Sequence, residues 1–189
     1  MLRSVKLALA AALIVVSAPT HAFATSWIVV KDQSRIGFSG THAGTNFKGQ
    51  FENWNAEIVF DPEALETAKA TVTVDLTSAQ TGNATYDKSL PNADWFDTKT
   101  TAAAVFTSET IKRVDGDSYV ADGTLNLRGA KVPVSLAFDL KINGDTATMT
   151  GTSTLARLDF GIGKASDAGG AWVSLDIPVD VKVVAKRAE

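Results

Sequence analysis

The chain has 189 residues, with 18 Lys and Arg against 21 Asp and Glu, 45% hydrophobic side chains, two histidines and no cysteine, a size that suits one domain. Lacking cysteine, it cannot build a disulfide framework, a thiolate zinc site, an iron–sulfur cluster, a thiol nucleophile or a c-type haem attachment. Its acidic excess argues against a nucleic-acid partner, which needs a clustered basic face.

The first 24 residues read as a secretory leader. Arg3 and Lys6 form a basic start, Leu7 to Val16 an unbroken apolar run, and Ala22-Phe23-Ala24 a small-residue cleavage site. The run is too short to span a bilayer as a helix, and no twin arginine precedes it. The mature protein is therefore expected to begin at Thr25 and to work in the periplasm after passage through the general secretory route. Removal of Arg3 and Lys6 takes the formal charge from −3 to −5, and removal of His21 leaves His42 as the only histidine. A metal site of two or three imidazoles cannot be built from one such chain. No G-x-S-x-G elbow supports a serine triad; Gly151-Thr152-Ser153-Thr154-Leu155 comes nearest and fails at the second glycine.

From Thr25 onward the dominant signal is period-two alternation, which predicts an all-β domain over residues 25–189. Short strands are expected at Trp27–Val30 and Arg35–Gly40. Trp54, Ala56, Ile58 and Phe60 then alternate with polar residues, followed by Ala70, Val72, Val74 and Leu76. Asp61-Pro62-Glu63-Ala64-Leu65 carries an N-cap residue and a first-turn proline, predicting a short helix to about Ala68. A second helix is expected from Asn83 to Leu90, stopped by Pro91. Strands follow around Phe106–Val114 and Tyr119–Leu127, joined by an Asp115-Gly116 hairpin. Val132 to Ile142 is the clearest alternation and ends at Asn143-Gly144, a two-residue hairpin signal. Thr146 to Leu155 returns, and Val173 to Val183 closes the pattern.

About eight strands, several of ten residues or more, predict an antiparallel barrel with one or two short helices, since closure removes exposed edges; a two-sheet sandwich fits the same alternation. Pro133 and Pro178 fall inside strands and mark edge or bulge positions. The Gly-rich segment Gly161–Ala171 is expected at the rim as the most flexible stretch.

Several segments in order resemble one family: Trp27 and Ser34-Arg35-Ile36-Gly37-Phe38; His42 followed by Phe47-Lys48-Gly49-Gln50-Phe51; Ile58-Val59-Phe60-Asp61-Pro62; Thr81-Gly82-Asn83; Tyr86-Asp87-Lys88-Ser89-Leu90; Asp94-Trp95-Phe96-Asp97; Gly123 to Gly129; and Arg157 to Gly163. Together they are similar to the YceI-like polyisoprenoid-binding proteins, exported lipocalin-like barrels. The pattern departs at Thr100–Phe106, where the proline that usually precedes the Phe is absent, and at Ser89, where the family often carries another residue.

The resemblance implies a non-enzymatic carrier of a long amphiphile: a polyisoprenoid, an isoprenoid quinone or a fatty-acid derivative, held without cofactor or metal. Lining candidates are Phe38, Phe51, Trp54, Phe60, Val72, Val74, Leu125, Leu136 and Phe138, with Trp95, Phe96 and Phe160 nearer a mouth. Each of these equally fits ordinary core packing. Arg157 is a candidate for an anionic head group through its fork of donors, or else pairs with Asp159 or a neighbouring acid at a barrel end. His42 is a candidate head-group donor or a structural hydrogen-bonding residue. Two further readings stand beside the carrier: an enzyme acting on the lipid through Arg157, Asp159, Asp87 or His42, and a filled barrel serving as an interaction module. A homodimer through the Thr-rich outer face of Thr146–Thr154 stays open.

Overall fold

Alternating apolar and polar side chains allow one sheet to bury a single face, and here the sheet does so by curling until its last strand meets its first. The computed structural model describes residues 25–188, so the expected leader lies outside the described residues. Eleven strand segments are found: β1 (Ser26–Val29), β2 (Arg35–His42), β3 (Thr45–Phe51), β4 (Trp54–Val59), β5 (Lys69–Asp75), β6 (Ala79–Gln80), β7 (Ala103–Asp115), β8 (Ser118–Leu127), β9 (Ala130–Asn143), β10 (Thr146–Ala156) and β11 (Asp176–Arg187). One α-helix, α1 (Ala84–Ser89), lies between β6 and β7.

Six of these segments pair off into three broken staves. A one-turn 3-10 helix at Lys31–Gln33 separates β1 from β2, Glu52-Asn53 separates β3 from β4, and a turn at Leu76–Ser78 separates β5 from β6. Consecutive staves pair antiparallel throughout, and β11 pairs with β1 at Ala185–Arg187 and with β2 at Val179–Lys182. The result is a closed eight-stranded antiparallel barrel rather than a sandwich. Ser78 knits two of the breaks together, its hydroxyl accepting from the Asn53 N–H at 3.0 Å. Lys31 covers the β3–β4 break, its ammonium 3.7 Å from the centre of the Trp54 ring and donating to the Trp54 carbonyl.

Strand β9 shows the alternation most plainly: every odd-numbered residue from Lys131 to Asn143 is exposed, and Val132, Val134, Leu136, Phe138, Leu140 and Ile142 face inward. A bulge at Glu109 in β7 changes parity, so that Phe106 and Ile111, an odd number of residues apart, both line the interior.

Four local expectations are corrected. The segment Asp61–Ala68 is not an α-helix: the Asp61 carboxylate accepts from the Glu63 N–H at 2.9 Å in a turn, Ala64 is non-helical, and only one 3-10 turn forms at Leu65–Thr67 before β5 resumes. The two hairpin loops are Gly116-Asp117 and Gly144-Asp145, one residue later than expected, with Asp115 opposite Ser118 and Asn143 opposite Thr146. Val173 and Leu175 precede the last strand, Val173 making only an isolated bridge to His42. Finally, β3 is a full stave segment that alternation did not announce.

The barrel has two unlike ends. At one, Trp27, Phe60, Ile111, Tyr119 and Val183 belong to a buried cluster, and the Trp27 indole N–H donates to the Phe60 carbonyl at 2.9 Å. At the other, α1, the β2–β3 hairpin and the residues between β10 and β11 gather over a second cluster of Phe38, Leu76, Phe96, Leu127, Phe160 and Ile162.

Candidate functional site

Between these two clusters the barrel encloses a cavity of about 500 Å³, within the range of small-molecule sites. Many of its inward residues are only half-buried, Leu136, Phe138, Val72 and Val74 among them, because they border open space rather than packed atoms. The interior is therefore unfilled, against the packed-core and filled-barrel readings.

All fourteen residues singled out from the sequence line this chamber. Phe51, Trp54, Val72 and Val74 come from adjoining staves β3–β4 and β5, and Leu125, Leu136 and Phe138 from β8 and β9. Phe60 stands at the blind end. Phe38 lies at the centre of an aromatic group, its ring 5.1 Å from Phe51, 6.4 Å from Phe47 and 6.5 Å from Phe96. Phe96 and Phe160, expected at a mouth, instead lie in the buried cluster that roofs the chamber, whereas Trp95 is half-buried beside them.

The polar groups are gathered at one place on the rim. Asn83 caps α1, its side-chain oxygen accepting from the N–H groups of Thr85 and Tyr86. That cap sets the helix so that Thr85, Tyr86 and Ser89 share the face turned to the chamber, close to Thr81. Opposite them, Ala43 and Gly44 both adopt positive φ in the tight turn of the β2–β3 hairpin and leave His42 as the last residue of β2. The Tyr86 hydroxyl and His42 Nδ1 lie 3.1 Å apart in a hydrogen bond, and their ring centres are 4.9 Å apart. Trp172, 61% exposed, lies outside this pair with its ring centre 6.4 Å from His42. Asp87 serves the rim indirectly: its carboxylate accepts from the Thr81 N–H at 2.7 Å and the Thr81 hydroxyl at 2.6 Å.

Arg157 pairs with an acid at the barrel end, as one of its two readings expected, but the acid is not Asp159, which is exposed. The guanidinium pairs instead with Asp167, at 2.9 Å, with both side chains sealed from solvent. Each guanidinium nitrogen also donates to a backbone carbonyl: Nε to Ser174, Nη1 to Ile162, and Nη2 to Asp167 and Val173. The expected anionic head-group contact at Arg157 therefore finds no nitrogen free of a protein partner. Asp167 accepts in turn from the N–H groups of Val173 and Trp172; these N–H groups and the adjacent Arg157 hold its carboxyl below the usual carboxylate range. The Gly161–Ala171 segment, expected as the most flexible stretch, is thus tied inward, and Asp94 ties it again by accepting from Ala165 N–H and Ser166 N–H at 2.9 Å. Burial raises the Asp94 carboxyl, but the Ser166 hydroxyl, these two N–H groups and Arg128 outweigh it and leave the pKa lowered.

Sequence reasoning missed Tyr86, Thr81 and Thr85. The adjacency of Thr85 and Tyr86 and their i, i+4 and i, i+3 spacing to Ser89 is the signal that could have found this face. Among the described residues no cluster of three His, Asp or Glu side chains is placed to hold a metal ion.

Comparison with known proteins agrees with this architecture. The model of the YceI-like domain matches residues 27–185. A UPF0312 protein of Shewanella baltica is 30% identical over 172 residues, covering 86% of this chain and 90% of the relative. Among solved structures, Burkholderia cenocepacia BcnA superposes with a TM-score of 0.80 at 25% identity, covering 83% of this chain and 99% of BcnA. A polyisoprenoid binding domain from Saccharophagus degradans, implicated in plant cell wall breakdown, shares the fold with a TM-score of 0.66 at 15% identity, covering 87% and 99%. With the family's model spanning almost the whole barrel, the chain belongs to the YceI-like family.

Proposed function

We propose that this protein carries or sequesters a long-chain amphiphile, a polyisoprenoid, isoprenoid quinone or fatty-acid derivative, with its hydrocarbon chain in the barrel and its head at the His42–Tyr86 rim. The observation that carries this reading is the unfilled apolar chamber of about 500 Å³ with its polar groups gathered at one end. Each methylene moved from water into such a chamber gains about 0.8 kcal/mol, so a chain that is nearly insoluble in an aqueous compartment is held well there. The Saccharophagus degradans domain of the same fold is a polyisoprenoid binding domain, which supports the same class of ligand here.

Carriage rather than catalysis is supported by what lines the chamber. Among the described residues, Arg157 and His42 are the charged or imidazole side chains on its wall, Tyr86 is the one phenol, and no carboxylate joins them. Acid–base chemistry on a bound lipid is helped by a carboxylate that activates its partner; His42 and Tyr86 face each other at 3.1 Å with no carboxylate on the wall beside them, and Arg157 is already held by Asp167. The leader pattern of residues 1–24 supports a periplasmic setting, where a lipid crossing between two membranes needs a soluble shelter.

The test is native mass spectrometry of the protein purified from its own compartment without detergent, followed by organic extraction. A discrete added mass that matches a prenyl or acyl lipid is expected. An apo mass that persists after incubation with polyprenol, quinone and fatty acid overturns the carrier reading.

A further inference from the structure

Strands β9 and β10 begin as an ordinary hairpin and then part. They pair from Asn143 and Thr146 up to Ala137 and Thr152, yet β9 extends back to Ala130 and β10 runs on to Ala156. In the parted stretch each strand pairs only with its outer neighbour, β9 with β8 and β10 with β11. Pro133 stands there opposite Thr124 of β8, and a proline has no N–H with which to bond across the gap. One rung remains: the Ser153 hydroxyl donates to the Ser135 carbonyl at 2.8 Å.

The gap is a pocket of about 280 Å³. Its lining passes through the wall, from the outward Pro133, Ser135 and Thr154 to the inward Val134 and Leu155, with Phe160 beyond them. Val134, Ser153, Leu155 and Phe160 line the main chamber as well, so a single layer of side chains separates the two spaces. The 3-10 turn Arg157–Phe160 that carries Phe160 is held by Arg157 and by Arg128, whose guanidinium donates to the Gly161 carbonyl.

We propose that this parting of β9 and β10 is a lateral portal through which the hydrocarbon chain of the ligand enters and leaves the barrel, an inference that rests on the carrier reading above. A chain loaded only at the rim must be drawn out of its membrane and threaded end-on, each methylene crossing water on the way. A gap in the wall lets the chain pass side-on. No backbone ladder has to break for it to widen, since the strands on either side keep their pairing to β8 and β11. What must move is the Ser153–Ser135 hydrogen bond and the side chains of Val134 and Leu155.

The chain has no cysteine of its own, so single cysteines can be placed at will. Thr154→Cys lies on the outer lip of the portal. Thr148→Cys lies on the same outer face of β10 where the strand pairs with Lys141 and Val184 on both sides, and is the control. Each is labelled with biotin-maleimide, capped with streptavidin, and offered a dansyl-labelled fatty acid in phosphatidylcholine vesicles. Capping at Thr154→Cys is expected to slow uptake and release alike by about tenfold or more, with the equilibrium dissociation constant unchanged. Capping at Thr148→Cys is expected to change neither rate. Equal rates for the two capped proteins overturn the portal while leaving the carrier reading standing. A dissociation constant that rises with the cap at Thr154→Cys also overturns it, since that marks damage to the site rather than to the route. If the uncapped protein takes up neither this probe nor a dansyl-labelled polyprenol or quinone offered in the same vesicles, the carrier reading and the portal fall together.

Discussion

The guanidinium of Arg157 and the carboxylate of Asp167 form a salt bridge of 2.9 Å with side chains 1% and 4% exposed, and this pair holds together the roof of a hollow barrel. Removing either member leaves the other as an unpaired buried charge, and removing Arg157 also strips four carbonyls of their donor. Arg157→Met is expected to cost about 3 kcal/mol or more in urea unfolding. Arg157→Met combined with Asp167→Asn should recover part of that loss, because the orphaned charge is gone. A double variant no better than the single one would show that the carbonyl contacts, not the ion pair, carry the effect.

Acid should loosen the same roof. Asp167 and Asp94 both titrate below the usual carboxylate range in the folded chain. A depressed folded-state pKa lends stability that is fully present above the unfolded value, about 3.9, and is lost as pH falls through the lower folded value. The urea midpoint is therefore expected to change little through these two groups between about pH 7 and 5 and to fall below about pH 4. Asp94→Asn should lower the midpoint at neutral pH and shrink the acid-dependent drop.

At the rim, Tyr86→Phe keeps the ring beside His42 and Phe47 but removes the hydroxyl that meets His42 Nδ1. A prenol or quinone that hydrogen-bonds there should lose about fivefold in affinity, the worth of one hydrogen bond near 1 kcal/mol. A plain hydrocarbon of the same length should bind as before. Fluorescence titration of both ligands separates the two cases.

In the chamber, Leu136→Trp adds volume where the wall borders open space. The fold should survive with its thermal midpoint intact or raised, while ligand capacity falls; unchanged uptake would place the ligand elsewhere. Val74→Asp puts an unpaired charge on the same wall and is expected to abolish uptake or folding.

Strands β9 and β11 were legible because an unbroken run of apolar side chains marks their inward face, and β8 and β10, with glycines at Gly123 and Gly151, because ten and eleven residues leave enough alternation on either side. Strand β3 escaped because its middle inward residue is Gly49, and a Cβ there would lie 2.3 Å from the Phe38 ring. The space that would have completed the alternation Phe47, Gly49, Phe51 is occupied from the neighbouring strand. Helix α1 was legible from Asn83 and Pro91, but its chamber-facing side was not, since that depends on where the β2–β3 hairpin places His42. The partner of Arg157 was equally hidden. Asp159 is two residues away in sequence and points out, whereas Asp167 is brought back only by the fold of the loop. For the strand-borne part of the chamber wall, Trp54, Val72, Val74, Leu125, Leu136 and Phe138 among it, period two was sufficient, since alternation alone decides which side chains face inward.

The blind end built from Trp27 and Phe60 makes the barrel a gauge of chain length. Binding strength should climb with each added carbon only until the tip of the chain meets the Trp27 indole, which its hydrogen bond to the Phe60 carbonyl holds in place. Carbons beyond that stop have to double back or trail outside, where they gain nothing. A plot of affinity against chain length should then rise and flatten, and the position of the bend would measure the depth of the well from the rim at Tyr86 to its floor.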